Sequence, residues 1–355
     1  MHSQRIFGLD LFRAIAILLV VFSHGTLILR GTHLEGFPYW RMIDGVDFFF
    51  VLSGFLIGGI LLRQINEENA FGWPALRRFW KRRWYRTLPN YYLILLLNYL
   101  FVRNGIISGD IAQFNWSFIV FCQNFVEPFH SFFWESWSLS IEEWFYIFAP
   151  LLLALSLPFL QPKFSFVTVV LVLILFPLCY RFVNYDPGIE SFMWDLTFRK
   201  TVLMRLDSIG YGLLAAWFYY YYKDFWGALK WVSMLLGIGL IAFILIYYQA
   251  PNTLYKQTVY FSLSSISVMF LLPVFSLWEI SPGYFNRGVT HISKISYSMY
   301  LINLALVAEV IKHNFPPAGK LDTLLKYGAY WVIVIVVSSL LYRYFEKPMT
   351  NLRDK

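Results

Sequence analysis

The stretch LFRAIAILLVVFSHGTLIL, residues 11–29, is apolar enough to enter a membrane yet carries a guanidinium, Arg13, and an imidazole, His24. The two lie eleven positions apart. At about 100° per residue they differ by roughly 20° from three full turns, so they share one helix face about 16 Å apart along the axis. Ionisable groups inside a span usually face a bundle interior or an aqueous path and mark function. A guanidinium suits an anion at one end of that path, and an imidazole suits proton transfer at the other.

Further groups extend the pattern. In DGVDFFFVLSGFLIGGILLR, residues 44–63, Asp44 and Asp47 open the second apolar segment at a depth comparable to His24. Either could fix the imidazole tautomer, and Asp47 is the candidate for that catalytic role. Ser53, Gly54, Gly58 and Gly59 then form a small-residue surface, which either packs a neighbouring helix or leaves a groove for a slender ligand. In RRFWKRRWYRTLPNYYL, residues 77–93, Arg83 and Arg86 share a face at the mouth of the third apolar segment. Their forks match phosphate oxygens, although a basic loop beside a membrane also follows from topology alone. Phosphates on Arg83, Arg86 and Arg13, an arm along Ser53 and Gly54, and His24 as general base at the tip together describe a coenzyme A thioester and an acceptor hydroxyl. Glu142 and Glu143, Arg205 and Asp207 are candidates for the acceptor side. Each has a structural alternative: Ser140 with Glu143 reads as a capping box, and Arg205 and Asp207 read as ion pairs to neighbouring helices. Glu346 reads as structural, balancing the arginines.

The elements that hold these groups must be membrane helices. The chain of 355 residues is 58% hydrophobic, 14% charged and 21% aromatic, with mean hydropathy +0.56. A soluble domain of this size could not hide so much apolar surface. Spans are expected near 9–30, 45–62, 87–103, 140–158, 165–183, 203–222, 228–248, 258–277, 292–311 and 325–344. The reading is all-α: a polytopic integral membrane protein of about ten transmembrane helices. The weaker run 111–126 is expected to be interfacial or re-entrant. Arg77, Arg78, Lys81, Arg82, Arg83 and Arg86 crowd one loop, which sets both termini on the cytoplasmic side. That placement accounts for the net charge of +8 without nucleic acid. No cleavable signal and no appended soluble domain are expected, so residues 1–355 read as one membrane domain. Cys122 and Cys179 have neither metal spacing nor a disulfide pattern, and no metal is expected.

In this order and spacing the motifs resemble acyltransferase family 3, the bacterial multi-pass acyltransferases that include O-antigen and nodulation-factor acetyltransferases. The resemblance runs over nearly the whole chain. It rests on Arg13 and His24 in the first helix, FFVLSGFLI at 49–57, and Arg83 and Arg86 followed by Pro89 and Tyr91. It continues through WSLSIEEWFY at 137–146, RLDSIGYG at 205–212, ISYSMYLIN at 295–303 and FEKP at 345–348. Where relatives often carry a His after the Tyr-Leu pair of the ninth span, this chain has Asn303, which falls at the acceptor site or serves structure. The resemblance implies an acyl-CoA donor, most often acetyl-CoA, and a cell-surface glycan or lipid-linked saccharide as acceptor. It also implies residence among the lipids of a bacterial plasma (inner) membrane. The alternative is a transporter or flippase for an anionic or glycolipid substrate, against which stands the lack of an inverted repeat.

Overall fold

The computed structural model describes residues 6–29, 44–67, 71–130, 132–247, 249–279, 283–316 and 318–354. The outer ends expected for the first and seventh spans, residues 30 and 248, lie outside the described residues. Ten long helices carry the fold among those described: α1 (Phe7–Leu29), α2 (Gly45–Glu67), α3 (Trp73–Arg103), α4 (Ser136–Ser156) and α5 (Pro162–Val183) in the first half. The second half holds α6 (Val202–Tyr221), α7 (Lys230–Ile246), α8 (Val259–Met269, resumed at Leu272–Ser276), α9 (Tyr284–Ile302) and α10 (Lys320–Leu341). Each expected span coincides with one of these, and no strand occurs among the described residues. Seven of the helices are long and apolar enough to cross a membrane. The protein is an all-α, multi-pass membrane protein.

Three contacts seat α1 and α2, the helices that bear Arg13, His24, Asp47, Ser53 and Gly54. Gly8 of α1 lies where a Cβ would come 2.0 Å from the Phe275 carbonyl oxygen. Buried Asp10 in its first turn accepts from Ser293 Oγ at 2.9 Å, tying α1 to α9. On α2, Gly54 meets α6 backbone to backbone. A Cβ there would lie 2.1 Å from the Ile209 oxygen, and one on Gly212 would lie 2.1 Å from the Val51 oxygen. The mid-span small residues are thus used reciprocally for close approach, which suits a bilayer that gives helices no hydrophobic drive to associate.

Residues 104–135 leave the helical pattern. Asp110 and Asn115 each cap a single short turn by accepting from the backbone N–H two residues on. Tyr91 of α3 donates to the Phe118 carbonyl at 2.7 Å and Tyr92 to Ile119 at 2.8 Å. Those tyrosines stand eleven and twelve residues before the end of α3, about 16–18 Å along its axis. The segment therefore descends along the bundle as a re-entrant element. The segment is packed in protein, where its amide nitrogens are paired: Asn124 donates to Trp137 and Lys200 carbonyls, and Gln123 to Ser140 Oγ, while Gln123 Oε1 and Asn124 Oδ1 find no partner among the described residues. Irregular backbone at membrane depth is tolerated under that condition.

α9 does not end cleanly at Ile302. It passes through a wide π-turn, Asn303–Ala308, before resuming at Glu309–Asn314. Such turns carry an extra residue and leave backbone groups to be paired elsewhere. Here the Ala305 N–H donates to Glu135 Oε1 at 2.8 Å, at the start of α4. The turn is what aims Asn303 across the bundle.

The Gly54–Gly212 contact carries a direct expectation. Gly54→Ala and Gly212→Ala should each lower stability by about 3 kcal/mol or more, since the new methyl meets backbone and not a movable side chain. Gly59, beside which a Cβ would find open space, should accept Ala without loss. Thermal unfolding of the purified protein in detergent reads the difference.

Candidate functional site

His24 is held by one short hydrogen bond. Its Nδ1 lies 2.6 Å from Asn303 Oδ1. The amide can face only one way, because Asn303 Nδ2 already donates to the carbonyls of Met299 at 2.9 Å and Tyr300 at 2.7 Å. Its oxygen must therefore accept, so the imidazole carries its proton on Nδ1 and keeps a lone pair on Nε2. That is the tautomer a general base needs, fixed by the same logic as a carboxylate in a hydrolytic triad. Asp47 was expected in this role and is elsewhere. It is buried, ion-paired to Arg205 and accepting from Ser264 Oγ at 2.6 Å. The residue that departs from the family pattern is the one that orients the histidine.

Two cavities flank this point. One, of about 840 Å³, is lined by His24, Asp44, Trp134, Trp137, Trp194, Asp195, Arg199 and Lys200 among others. The second is a slot of about 100 Å³ lined by Arg13, Ser53, Arg83, Arg86, Glu142 and Tyr146. The first is called the histidine cavity below and the second the arginine cavity. Val46 and Tyr300 line both. Arg13 and His24 thus open into different chambers, one on each side of a shared wall.

The arginine cavity brings together residues from α1, α2, α3 and α4. Three guanidinium groups face one carboxylate, Glu142, which accepts from Tyr146 Oη at 3.1 Å. Tyr146 also lies 3.1 Å from Ser53 Oγ. Burial, and then the neighbouring Arg86, lower the Arg83 pKa to about 10, so it stays cationic at neutral pH. Its Nε finds no hydrogen-bond partner among the described residues. A chamber with this excess of positive charge and buried donor capacity suits phosphate or carboxylate oxygens.

Several candidates are placed away from either cavity. Gly54 packs against α6 and lines neither chamber. Glu143 turns away from its neighbour Glu142 and accepts from Thr87 Oγ1 at 2.7 Å. The expected capping box is not formed, because α4 begins at Ser136 and Ser140 already lies inside it. Arg205 and Asp207 are fully buried, not turned to a ligand. Arg205 pairs with Asp47 of α2, while Asp207 pairs with Arg181 of α5 at 2.7 Å and accepts from Ser262 of α8 at 3.0 Å. These two ion pairs join three helices, α2, α5 and α6, and the serine hydrogen bonds of Ser262 and Ser264 add α8. Glu346 accepts from Ser298 Oγ and Asn90 Nδ2, linking the C-terminal helix to α9 and α3.

The histidine cavity also takes Asp195, Arg199 and Lys200 from the connection between α5 and α6. Arg199 donates to Asp44 Oδ2 at 2.8 Å and to Asp195 Oδ1 at 2.8 Å, with its guanidinium 5.0 Å from the Trp137 ring centre. Lys200 pairs with Asp195 and lies 4.5 Å over Trp134. Burial lowers the Lys200 pKa to about 8 against the pull of Asp195. Burial opposes ionisation of Asp195 too, but Arg199 and Lys200 outweigh it and hold the carboxyl below its ordinary range. Cations over indole faces beside carboxylates give this chamber a polar, aromatic lining.

Residues 6–343 match a family model described as an acyltransferase domain. The chain belongs to this acyltransferase family. A Staphylococcus aureus protein provisionally named an O-acetyltransferase is 29% identical over 96% of this chain and 56% of its own length. The peptidoglycan O-acetyltransferase OatA of Listeria monocytogenes is 29% identical over 52% of this chain and 30% of its own length. A Bacillus subtilis protein, YrhL, provisionally named a peptidoglycan O-acetyltransferase, is 32% identical over 53% of this chain and 30% of its own length. The chain thus spans about half the length of the first of these curated relatives. No solved structure matches it.

For this acyltransferase-family chain the tautomer argument is directly measurable. With ¹⁵N-labelled histidine, wild-type His24 should show protonated Nδ1 and bare Nε2 at neutral pH. Asn303→Leu should lose that preference, and any transfer activity should fall with it by about 10²-fold or more, within the range for a misplaced general base. Asp47→Ala tests the contrasting role: it should cost about 3–5 kcal/mol by leaving Arg205 buried without its partner. The His24 signature should survive in that variant if it is folded.

Proposed function

We propose that the protein is a membrane O-acetyltransferase that moves an acyl group, most often acetyl, from cytoplasmic acyl-CoA to a hydroxyl of an extracytoplasmic glycan or lipid-linked saccharide. The observation that carries this reading is the pair of chambers with a common wall, one rich in arginine and one holding an oriented imidazole. Family membership and the names of the relatives support the reaction class, and two of those names support a glycan as acceptor. With both termini cytoplasmic, the arginine cavity opens toward the donor and the histidine cavity toward the glycan.

The chemistry follows from the two chambers. Arg13, Arg83 and Arg86 hold the donor's phosphates, and Ser53 with Tyr146 borders the path of its thioester arm. An acceptor hydroxyl enters among Trp134, Trp137 and Arg199. His24 Nε2 takes the hydroxyl proton as the oxygen attacks the thioester carbonyl. The new C–O bond forms, the C–S bond breaks, and the proton passes from Nε2 to the departing thiolate. Asn303 stabilises the Nδ1–H throughout, so the ring need not reorient between the two proton transfers. Glu142 sits beside the arginines and limits how much anionic charge the donor chamber favours. No acyl-enzyme is required, since the base acts on the acceptor directly.

Donor binding is testable without knowledge of the acceptor. Acetyl-CoA should raise the thermal stability of the detergent-purified protein saturably, by about 2.7 kcal/mol at a hundredfold excess over Kd. Arg86→Ala and Arg83→Ala should weaken that effect tenfold or more, and added salt should weaken it further in the wild type. His24→Ala should keep donor stabilisation within a few-fold and abolish acetyl transfer to cell-wall or lipid-linked glycan. Absence of donor stabilisation in folded protein would remove the acyltransferase reading and favour a transporter.

A further inference from the structure

Tyr300 stands where the two cavities meet, and neither family membership nor the proposed reaction assigns it a task. It is buried and lines both chambers, as does Val46. Its hydroxyl lies 2.6 Å from Ser138 Oγ and donates to the Glu135 carbonyl at 3.2 Å. Phe49, from the arginine cavity, meets its ring edge-on at 6.2 Å. Its own carbonyl accepts from Asn303 Nδ2. One residue therefore lines both chambers and anchors the amide that orients His24.

We propose that Tyr300, with Val46, is the partition through which the acyl group reaches His24, and that its ring sets the size of acyl group the enzyme transfers. This rests on the acetyltransferase reading. The acyl carbon must exchange the thiolate sulfur for the acceptor oxygen at this wall, because the base lies on one side and the arginines on the other. The proton travels from acceptor hydroxyl to Nε2 and on to the thiolate, so the wall must admit a carbonyl while keeping bulk water from the thioester. A phenol ring tied at its hydroxyl to α4 leaves room for a two-carbon group more readily than for a long chain. Val46 supplies a small opposing surface. Removing the ring joins the chambers, and removing only the hydroxyl does not.

The partition is tested by accessibility, apart from catalysis. In a background with Cys122 and Cys179 replaced by serine, since both are exposed, single cysteines are introduced at Ser23 in the histidine cavity and at Ser53 in the arginine cavity. Intact cells are then treated with a small membrane-impermeant methanethiosulfonate. Ser23→Cys should react, and Ser53→Cys should resist. Adding Tyr300→Ala should raise the Ser53→Cys labelling rate tenfold or more, adding Val46→Ala should raise it less, and adding Tyr300→Phe should leave it low. In purified protein, Tyr300→Ala should also raise octanoyl-CoA turnover relative to acetyl-CoA at least tenfold, and increase acceptor-independent thioester hydrolysis. Labelling of Ser53→Cys from outside with Tyr300 intact would overturn the proposal. So would unchanged labelling in both Tyr300→Ala and Val46→Ala while Ser23→Cys reacts normally. An unaltered octanoyl-to-acetyl ratio would overturn the size role. Labelling that opens as expected while no variant binds or consumes any acyl-CoA would overturn acyl passage through failure of the acetyltransferase reading, with the wall itself intact.

Discussion

The hydrogen bond between His24 Nδ1 and Asn303 Oδ1 depends on more of the fold than any other contact in the site. An imidazole in a membrane helix is useful only if one nitrogen is committed and the other left open. The amide achieves this because its own nitrogen is occupied by two backbone carbonyls. Those carbonyls belong to the turn before a π-turn, and the π-turn persists because Glu135 accepts the Ala305 N–H. Glu135 in turn sits where the re-entrant segment meets α4. A neutral amide also has an advantage over a carboxylate here: it fixes the tautomer without placing a second charge beside the base.

Around this bond the charged residues divide into two populations. Arg205 with Asp47 and Arg181 with Asp207 are wholly buried and matched one to one, so each pair is neutral and serves to join helices. Taking such charges out of solvent is expensive, and further hydrogen bonds offset part of that cost: each carboxylate accepts from a serine hydroxyl, Ser264 or Ser262, and Arg181 also donates to the Thr258 and Met204 carbonyls. Arg13, Arg83 and Arg86 face a chamber where the carboxylate on the lining is Glu142. On the proposed reading that difference in surroundings separates a donor site from a structural lock, although both consist of Arg and acidic residues.

The helical, membrane-embedded class was legible in the sequence, because runs of apolar residues of bilayer length admit little else, and seven of the long helices among the described residues have that length and composition. The grouping of Arg13, Ser53, Arg83 and Arg86 was legible too, since helix periodicity fixes faces. Partner choice was not. Asp47 and Asp44 looked equivalent as partners for His24, and a helix rotation that sequence does not encode sends Asp47 to Arg205. Asn303 carried a signal only as a departure from the family pattern, and the π-turn that aims it has no sequence signature of its own. Arg199, Lys200 and Asp195 were overlooked because a charged run in a connection reads as solvated. Gly54 was ambiguous between groove and packing, and the backbone oxygen of Ile209 decides for packing.

A membrane acyltransferase with donor and acceptor on opposite faces must bring a reactive thioester to a hydroxyl without offering it to water. A single open channel would satisfy the geometry of transfer and fail that requirement. Two chambers sharing a thin wall satisfy both, provided the wall is made of side chains and the base lies at its far surface. On the proposed reading the wall is Tyr300 with Val46, which line both cavities, and His24 is oriented through the backbone of that same tyrosine. Movement of the wall and orientation of the base are therefore not independent. Any displacement of Tyr300 large enough to shift its carbonyl would disturb Asn303, so the tyrosine can open by side-chain rotation but not by backbone motion if the imidazole is to keep its tautomer. The π-turn directly after Tyr300 lies where the backbone must stay fixed, and opening by ring rotation requires the phenol to leave its hydroxyl contacts with Ser138 and the Glu135 carbonyl.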